Sequence, residues 1–221
     1  MTPTTSNAYY GPHQNKFVMP AGILQNKPFY FHESEAPSVL NYGAIGTIIS
    51  HEVSHSIDDW GKLYDEFGNM SPWWDNTTKT RFNERAQCFV EQFETFSFPT
   101  VNMTIRGAQT VGENIADNGA VRIAFDSYHQ NTPEAGTLEY QLAPDLTFTD
   151  EQLFFISFAQ MWCSFSTDKA LRLEILQSNH SPSSVRVVGA LLNFGEFARV
   201  FKCSNGTNMN LYDEDLKCRI W

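Results

Sequence analysis

Ile48-Ile49-Ser50-His51-Glu52-Val53-Ser54-His55-Ser56-Ile57-Asp58-Asp59 is the stretch on which the reading of this chain turns. Residues four apart on a helix share a face, so His51 and His55 aim two imidazole nitrogens at one point, a spacing that suits a zinc ion. Glu52 stands one position on, where its carboxylate can take a proton from a metal-activated water without itself being a ligand. Ile45, Ile48, Ile49 and Val53 recur at helical spacing and predict a mostly buried helix from Ser38 to about Asp58. The bland reading is an exposed helix that carries two histidines and a glutamate by accident.

A catalytic zinc site needs a third protein ligand and keeps one position open. Glu113, in Gly112-Glu113-Asn114-Ile115-Ala116-Asp117, is the first choice. Asp117 lies four residues on, on the same helical face, where it can accept the outer ring N–H of a ligating histidine, His51 foremost. Thr110 and Glu113 also form a T-x-x-E capping box, so Glu113 has a competing job at a helix start. His180 and Arg186 are candidates to stabilise an oxyanion and hold a carbonyl. Their spacing alone is weak, and a loop histidine and a surface arginine are the default. Asp58 is either a second carboxylate behind a histidine or a charged residue at a helix end. His13, His32 and His129 have no partner pattern and read as surface or ordinary core histidines.

The rest of the chain narrows the class. Its 221 residues, 42% hydrophobic and 14% aromatic, are enough for one real core, and no repeat or linker divides 1–221. Twenty-five acidic against fifteen basic side chains give a net charge of -10, with no Lys/Arg cluster, which excludes an electrostatic grip on nucleic acid. No window approaches the roughly 20 apolar residues of a membrane span. Cys88, Cys163, Cys203 and Cys218 form no C-x-x-C pair, which leaves disulfides or buried thiols. With five N-x-[ST] triplets, at Asn69, Asn76, Asn102, Asn179 and Asn205, they lean towards an extracellular compartment, yet Met1 to Ser6 has neither a basic nor an apolar leader region.

Short strands and loops are expected at the front, through Ala8–Tyr10, Lys16–Met19 and the Pro-punctuated stretch to Pro28–Tyr30. Helices are expected over the stripe from Phe82 to Phe96, from Thr110 onwards with Ile115, Ala116, Ala120, Ile123 and Ala124 inward, and after a capping box at Thr149–Gln152. A short one should lie near Phe194–Phe201. The class is α+β, mainly α, with a small sheet near the N-terminus.

These residues together resemble the C-terminal catalytic portion of the neprilysin and endothelin-converting enzyme family of zinc metallopeptidases. The resemblance rests on Asn7-Ala8-Tyr9-Tyr10, Pro20 to Gln25, Leu40-Asn41-Tyr42-Gly43, His51 to His55, Gly112 to Gly119, Phe158 to Cys163, His180-Ser181-Pro182, Arg186 and Cys218-Arg219-Ile220-Trp221, in family order. It implies a thermolysin-like (zincin) fold and one zinc ion held by His51, His55 and Glu113. Glu52 is then the general base, Asp117 the carboxylate behind a ligand, and His180 and Arg186 the contacts to the transition state. Asn7 and Ala8 would form the edge strand that binds the substrate backbone. Ile23, Phe29, Ile48, Met161 and Trp162 would line the apolar pocket for the residue after the scissile bond.

The resemblance further implies small peptide substrates, a missing N-terminal half as partner, and a place outside the cell, membrane-anchored or secreted. Cys88 would pair with Cys218, leaving Cys163 and Cys203 to bond to the missing half. Two departures from the family pattern stand out: Trp60 where a polar residue is usual, and Thr47 where a larger apolar residue is. The rival class is a truncated, non-catalytic remnant that keeps the zinc site; a helical interaction protein ranks behind it.

Overall fold

A computed structural model describes residues 1–25, 27–32, 36–211 and 216–220, so Trp221 of the terminal motif lies outside the described residues. The metal motif sits in one continuous helical run: α1 (Ser38–Asn41), a π-turn over Tyr42–Gly46, α2 (Thr47–Ser54) and a 3-10 turn over His55–Ile57. The wider turn falls where a neighbouring backbone presses in. A Cβ on Gly43 would come within 2.2 Å of the Phe154 carbonyl oxygen. The Thr47 hydroxyl lies 3.0 and 2.7 Å from the carbonyl oxygens of Gly43 and Ala44, supplying a donor where the helical ladder is disturbed.

This run departs from the expected apolar burial. Ile45 is buried, but Ile49 and Val53 are exposed, while Thr47, Ser50, His51, Glu52 and Ser54 are buried. The polar face is the inward one because it meets the carboxylates of the long helix α4 (Gly107–Asn131). Around α4 pack α2, α3 (Asn76–Glu94) and α7 (Ser183–Leu192). Small residues at Ala116, Gly119, Ala120 and Ala124, all buried, let these neighbours approach closely.

The helix α4 begins a full turn before Thr110, so the T-x-x-E box is not its cap. Thr110 Oγ1 instead accepts from Asn114 Nδ2 at 2.9 Å, and Glu113 is free to face α2. Ile123 is exposed, at the margin of the stripe expected to be inward. The Asp75 side chain caps α3, accepting from the Thr78 N–H at 2.7 Å. Both bonds of the Thr149–Gln152 capping box form at the start of α5 (Asp150–Met161). The helix α6 (Asp168–Gln177) was not expected; α8 (Gly195–Val200) was.

The strands form three separate antiparallel pairs: β1 (Tyr9–Gly11) with β2 (Lys16–Val18), β3 (Ser97–Phe98) with β4 (Met103–Thr104), and β5 (Glu139–Ala143) with β6 (Leu146–Thr149). Strands therefore do not cluster only at the front. The last pair sets Tyr140 opposite Phe148, and both pack on the core.

Apolar side chains gather in two groups. Phe125, Phe154, Phe155 and Phe194 interlock largely edge to face in one, and Phe82, Phe89, Phe93, Ile115 and Val185 fill the other. The Cys88–Cys218 disulfide ties α3 to the C-terminal segment beside the second group, with Cα atoms 5.6 Å apart. Cys163 and Cys203 are free thiols. Among the described residues, no helix is long and apolar enough to cross a membrane.

Candidate metal centre and active site

Because α2 lies along the first half of α4, the His51 and His55 rings face Glu113 and Asp117. Ligand atoms of His51, His55 and Glu113 all fall within 4.8 Å of one another. The two Nε2 atoms are 2.9 Å apart, and Glu113 Oε2 lies 3.3 Å from the first and 3.6 Å from the second. For ligand bonds near 2.0–2.1 Å, the edge of a tetrahedron is about 3.3 Å, so the three spacings suit one small cation at their focus. Glu113 Oε2 is moreover buried without a hydrogen-bond partner, the kind of orphan that a bound cation satisfies.

Each of the three side chains is braced from behind. His51 Nδ1 lies 2.9 Å from Asp117 Oδ1, and His55 Nδ1 lies 2.6 Å from Asp58 Oδ2. Asp58 is thus more than a helix-end charge: its other oxygen accepts the N–H groups of Trp60 and Gly61 at 2.8 and 2.6 Å. Glu113 Oε1 accepts from Asn179 Nδ2 at 3.3 Å. Arg186, on α7, grips both oxygens of Asp117 through Nε at 2.7 Å and Nη2 at 2.6 Å, with its guanidinium 3.9 Å from the Trp162 ring centroid.

The electrostatics follow from this crowding. Burial pushes Asp117 up, but the Arg186 charge and the His51 contact outweigh it and hold the carboxyl well below its usual range. Glu113 is lowered too, with burial overcome by the histidines. His51 is pushed down by burial and more strongly up by Asp117 and Glu113, to about 9: the site draws positive charge to this point. Glu52 is raised, first by burial and then by Glu113, with the histidines and Arg186 opposing. That shift moves a carboxylate towards the range of a general base. His180 is lowered by burial, against Glu113.

His180 sits in the loop before α7, with Nε2 3.2 Å from Glu113 Oε2 and its ring about half exposed. Two residues passed over in sequence hold this loop: Ser181 Oγ pairs with Asn114 Oδ1 at 2.8 Å, and Asn179 reaches Glu113. In the sequence Asn179 stands out only as part of a sequon. Its adjacency to His180 was the one available signal.

Of the positions expected to bind substrate, Met161 lies in the first apolar group and Phe29, Ile48 and Trp162 pack against that group. Ile23 is buried in a separate 3-10 turn (Ile23–Gln25) and does not join them. Asn7 and Ala8 immediately precede β1 rather than lying in it, and Asn7 Oδ1 accepts its neighbour's N–H at 2.9 Å.

The family model for peptidase family M13 matches residues 7–218. The chain is 45% identical to neprilysin-3 of Drosophila melanogaster and 44% identical to endothelin-converting enzyme 1 of Homo sapiens, in each case over all of this chain and 27% of the relative. It therefore spans little more than a quarter of the length of these relatives. Among solved structures it is similar to a Mycobacterium tuberculosis zinc metalloprotease in complex with an inhibitor, at TM-score 0.90 and 33% identity, over 100% of this chain and 33% of that one. It is also similar to a chain of a Haemonchus galactose-containing glycoprotein complex, at TM-score 0.88 and 34% identity, over 99% and 35%. Two histidines and a glutamate converging from α2 and α4, on a fold shared with a zinc metalloprotease, agree with the family match: the chain belongs to peptidase family M13.

Proposed function

We propose that this chain is the catalytic part of a zinc endopeptidase that cleaves small peptides outside the cell. The convergence of His51 Nε2, His55 Nε2 and Glu113 Oε2 beside a carboxylate of raised pKa, Glu52, carries this reading. Zinc bound by these three side chains would polarise the scissile carbonyl and acidify a water at neutral pH. Glu52 takes the proton from the attacking water and delivers it to the leaving amine. His180, half exposed beside Glu113, donates from its ring to the developing oxyanion, and Arg186 offers the guanidinium N–H groups not engaged by Asp117 to a substrate carbonyl. Asp117 and Asp58 fix the tautomers of His51 and His55 so that each presents Nε2.

Phe29, Ile48, Met161 and Trp162, all in or against the first apolar group, would supply an apolar wall for the side chain after the scissile bond, and the segment Asn7–Ala8 leading into β1 would offer main-chain groups to the substrate backbone. The disulfide supports an oxidising compartment. Cys163 and Cys203, free thiols here, would bond to residues of a longer parent, as the resemblance implies.

Glu52→Gln is the decisive variant. It should keep zinc, measured by metal analysis, and lose at least about 100-fold in peptide turnover, the loss expected when a general base is removed. Turnover by this variant at the parent's rate would overturn the mechanism.

A further inference from the structure

Asp59 and Trp60 have no part in the chemistry above, yet they help to wall a cavity of about 320 Å³. Tyr10, His55, Glu113 and Asn179 share it, so the cavity adjoins the metal-binding group. The helical run from Ile48 passes His51 and His55 and ends at Ile57; the backbone is extended at Asp58, and Asp59 follows on the cavity wall with His55 and Glu113. The cavity shares no residue with the apolar wall. If that wall takes the residue after the scissile bond, as proposed above and on which this inference rests, the residues before the bond run towards Asp59.

The chemistry of the cavity is anionic. Both oxygens of Asp58 are engaged, by His55 and by two backbone N–H groups. Asp59 makes no ion pair among the described residues. Lys62, whose charge acts on Asp59, donates to Asn83 Oδ1 at 3.0 Å with Nζ 3.7 Å above the Phe82 ring. Gly112 makes room for the carboxylate, since a Cβ there would come within 2.2 Å of Asp59 Oδ1. On the inner wall stands Glu113, about nine-tenths buried, with Oε2 committed to the metal-binding group. Trp60, 56% exposed, and Tyr10 supply aromatic surface for an alkyl stem and a cationic head.

We propose that this cavity is a cation-selecting subsite, in which Asp59 pairs with an arginine or lysine side chain on the amino side of the scissile bond and Trp60 packs against it.

The test uses the whole zinc-loaded protein and quenched fluorescent peptides that carry Arg, Lys, citrulline or Glu at the first or second residue before the bond. Arg should exceed its neutral isostere citrulline by roughly tenfold in kcat/KM at one of these positions. Asp59→Asn should bring that ratio within about twofold, and Asp59→Lys should turn the preference towards Glu, an inversion that a merely structural role of Asp59 would not produce. The ratio reads the subsite whatever a variant does to all peptides alike. Equal cleavage of the Arg and citrulline peptides by the parent at both positions, or an unchanged ratio in Asp59→Asn, overturns the inference. Glu52-dependent cleavage of the citrulline peptide tests the peptidase reading separately. Binding of the labelled Arg and citrulline peptides to the Glu52→Gln variant reads the subsite without turnover, and equal binding or none there also overturns it.

Discussion

Asp117→Asn perturbs the site at the point where most of its contacts meet. The carboxylate accepts two hydrogen bonds from Arg186, at 2.6 and 2.7 Å, and lies 2.9 Å from His51 Nδ1. Asparagine keeps the shape but offers one acceptor and removes the charge, leaving a guanidinium that is only 8% exposed without its counter-ion. Removing one partner of a buried pair costs about 3–5 kcal/mol. The lower end applies here, because Glu113 Oε2 remains 3.9 Å from Arg186 Nη2 and the asparagine oxygen can keep one bond. At about 2–4 °C per kcal/mol for a chain of this size, the metal-free variant should melt roughly 6–12 °C below the parent by calorimetry.

Two further readouts belong to the same change. Zinc affinity, measured by competition with a chelator, should fall about 10–100-fold as His51 loses the group that orients it. The Asp117 pKa is lowered in the fold, so its stabilisation is complete above the unfolded value of about 3.9 and is lost as pH falls towards the folded one. The acid limb of the parent's stability curve should be shallower in the variant. A melting temperature within 1 °C of the parent, together with zinc affinity within about twofold, would refute this account of the buried network.

Chelation should destabilise the protein through mass action: free zinc at about 1,000 times its dissociation constant adds roughly 4 kcal/mol, so equal melting curves with and without a chelator would count against a specific metal site. Cys88→Ser opens a cross-link spanning 130 residues and should cost about 3–5 kcal/mol in urea unfolding; a loss below about 1 kcal/mol would mean that the C-terminal segment holds without it. Under native conditions Cys163, which is exposed, should react with a thiol reagent well before the half-buried Cys203, and the reverse order would contradict their placement. Gly43→Ala drives a methyl to within 2.2 Å of the Phe154 carbonyl and should cost about 1–3 kcal/mol by thermal melting, whereas a neutral outcome would show that α5 can retreat from the π-turn.

The helices that carry the site were legible because their signals are local. H-E-x-x-H spacing places two rings on one face, and the Thr149–Gln152 box is a contact across three residues. What escaped was set by distant neighbours. Periodicity assigned Ile49 and Val53 to the interior because apolar spacing marks a face without saying which face meets the partner, and here the polar face does. The T-x-x-E pattern at Thr110 offered a cap, but α4 had begun a turn earlier and Glu113 faces α2 instead. The roles of Asn114, Asn179 and Ser181 depend on two segments that lie more than sixty residues apart, and no short pattern records such a contact. The hairpins after Phe96 and Gly136 are too short and too polar for alternation to announce them.

The polar face also explains how the site can be rigid without an apolar core of its own. Among the described residues of the site, Glu52, Asp58, Glu113 and Asp117 are all buried, against the guanidinium of Arg186 and a His51 whose pKa they raise to about 9. Such an excess of negative charge is costly in a low-dielectric interior unless something offsets it. Part of the compensation is visible in the bonds that Arg186, Asn179 and two backbone N–H groups make to these carboxylates. What they leave unmet is concentrated at Glu113 Oε2, opposite the two Nε2 atoms. The surrounding bonds thus confine the unneutralised charge to one point, while burial first, and Glu113 after it, hold the Glu52 pKa up. A divalent cation held by His51, His55 and Glu113 at that point would relieve the repulsion between the carboxylates and would leave Glu52 outside the ligand set, free to act on a water.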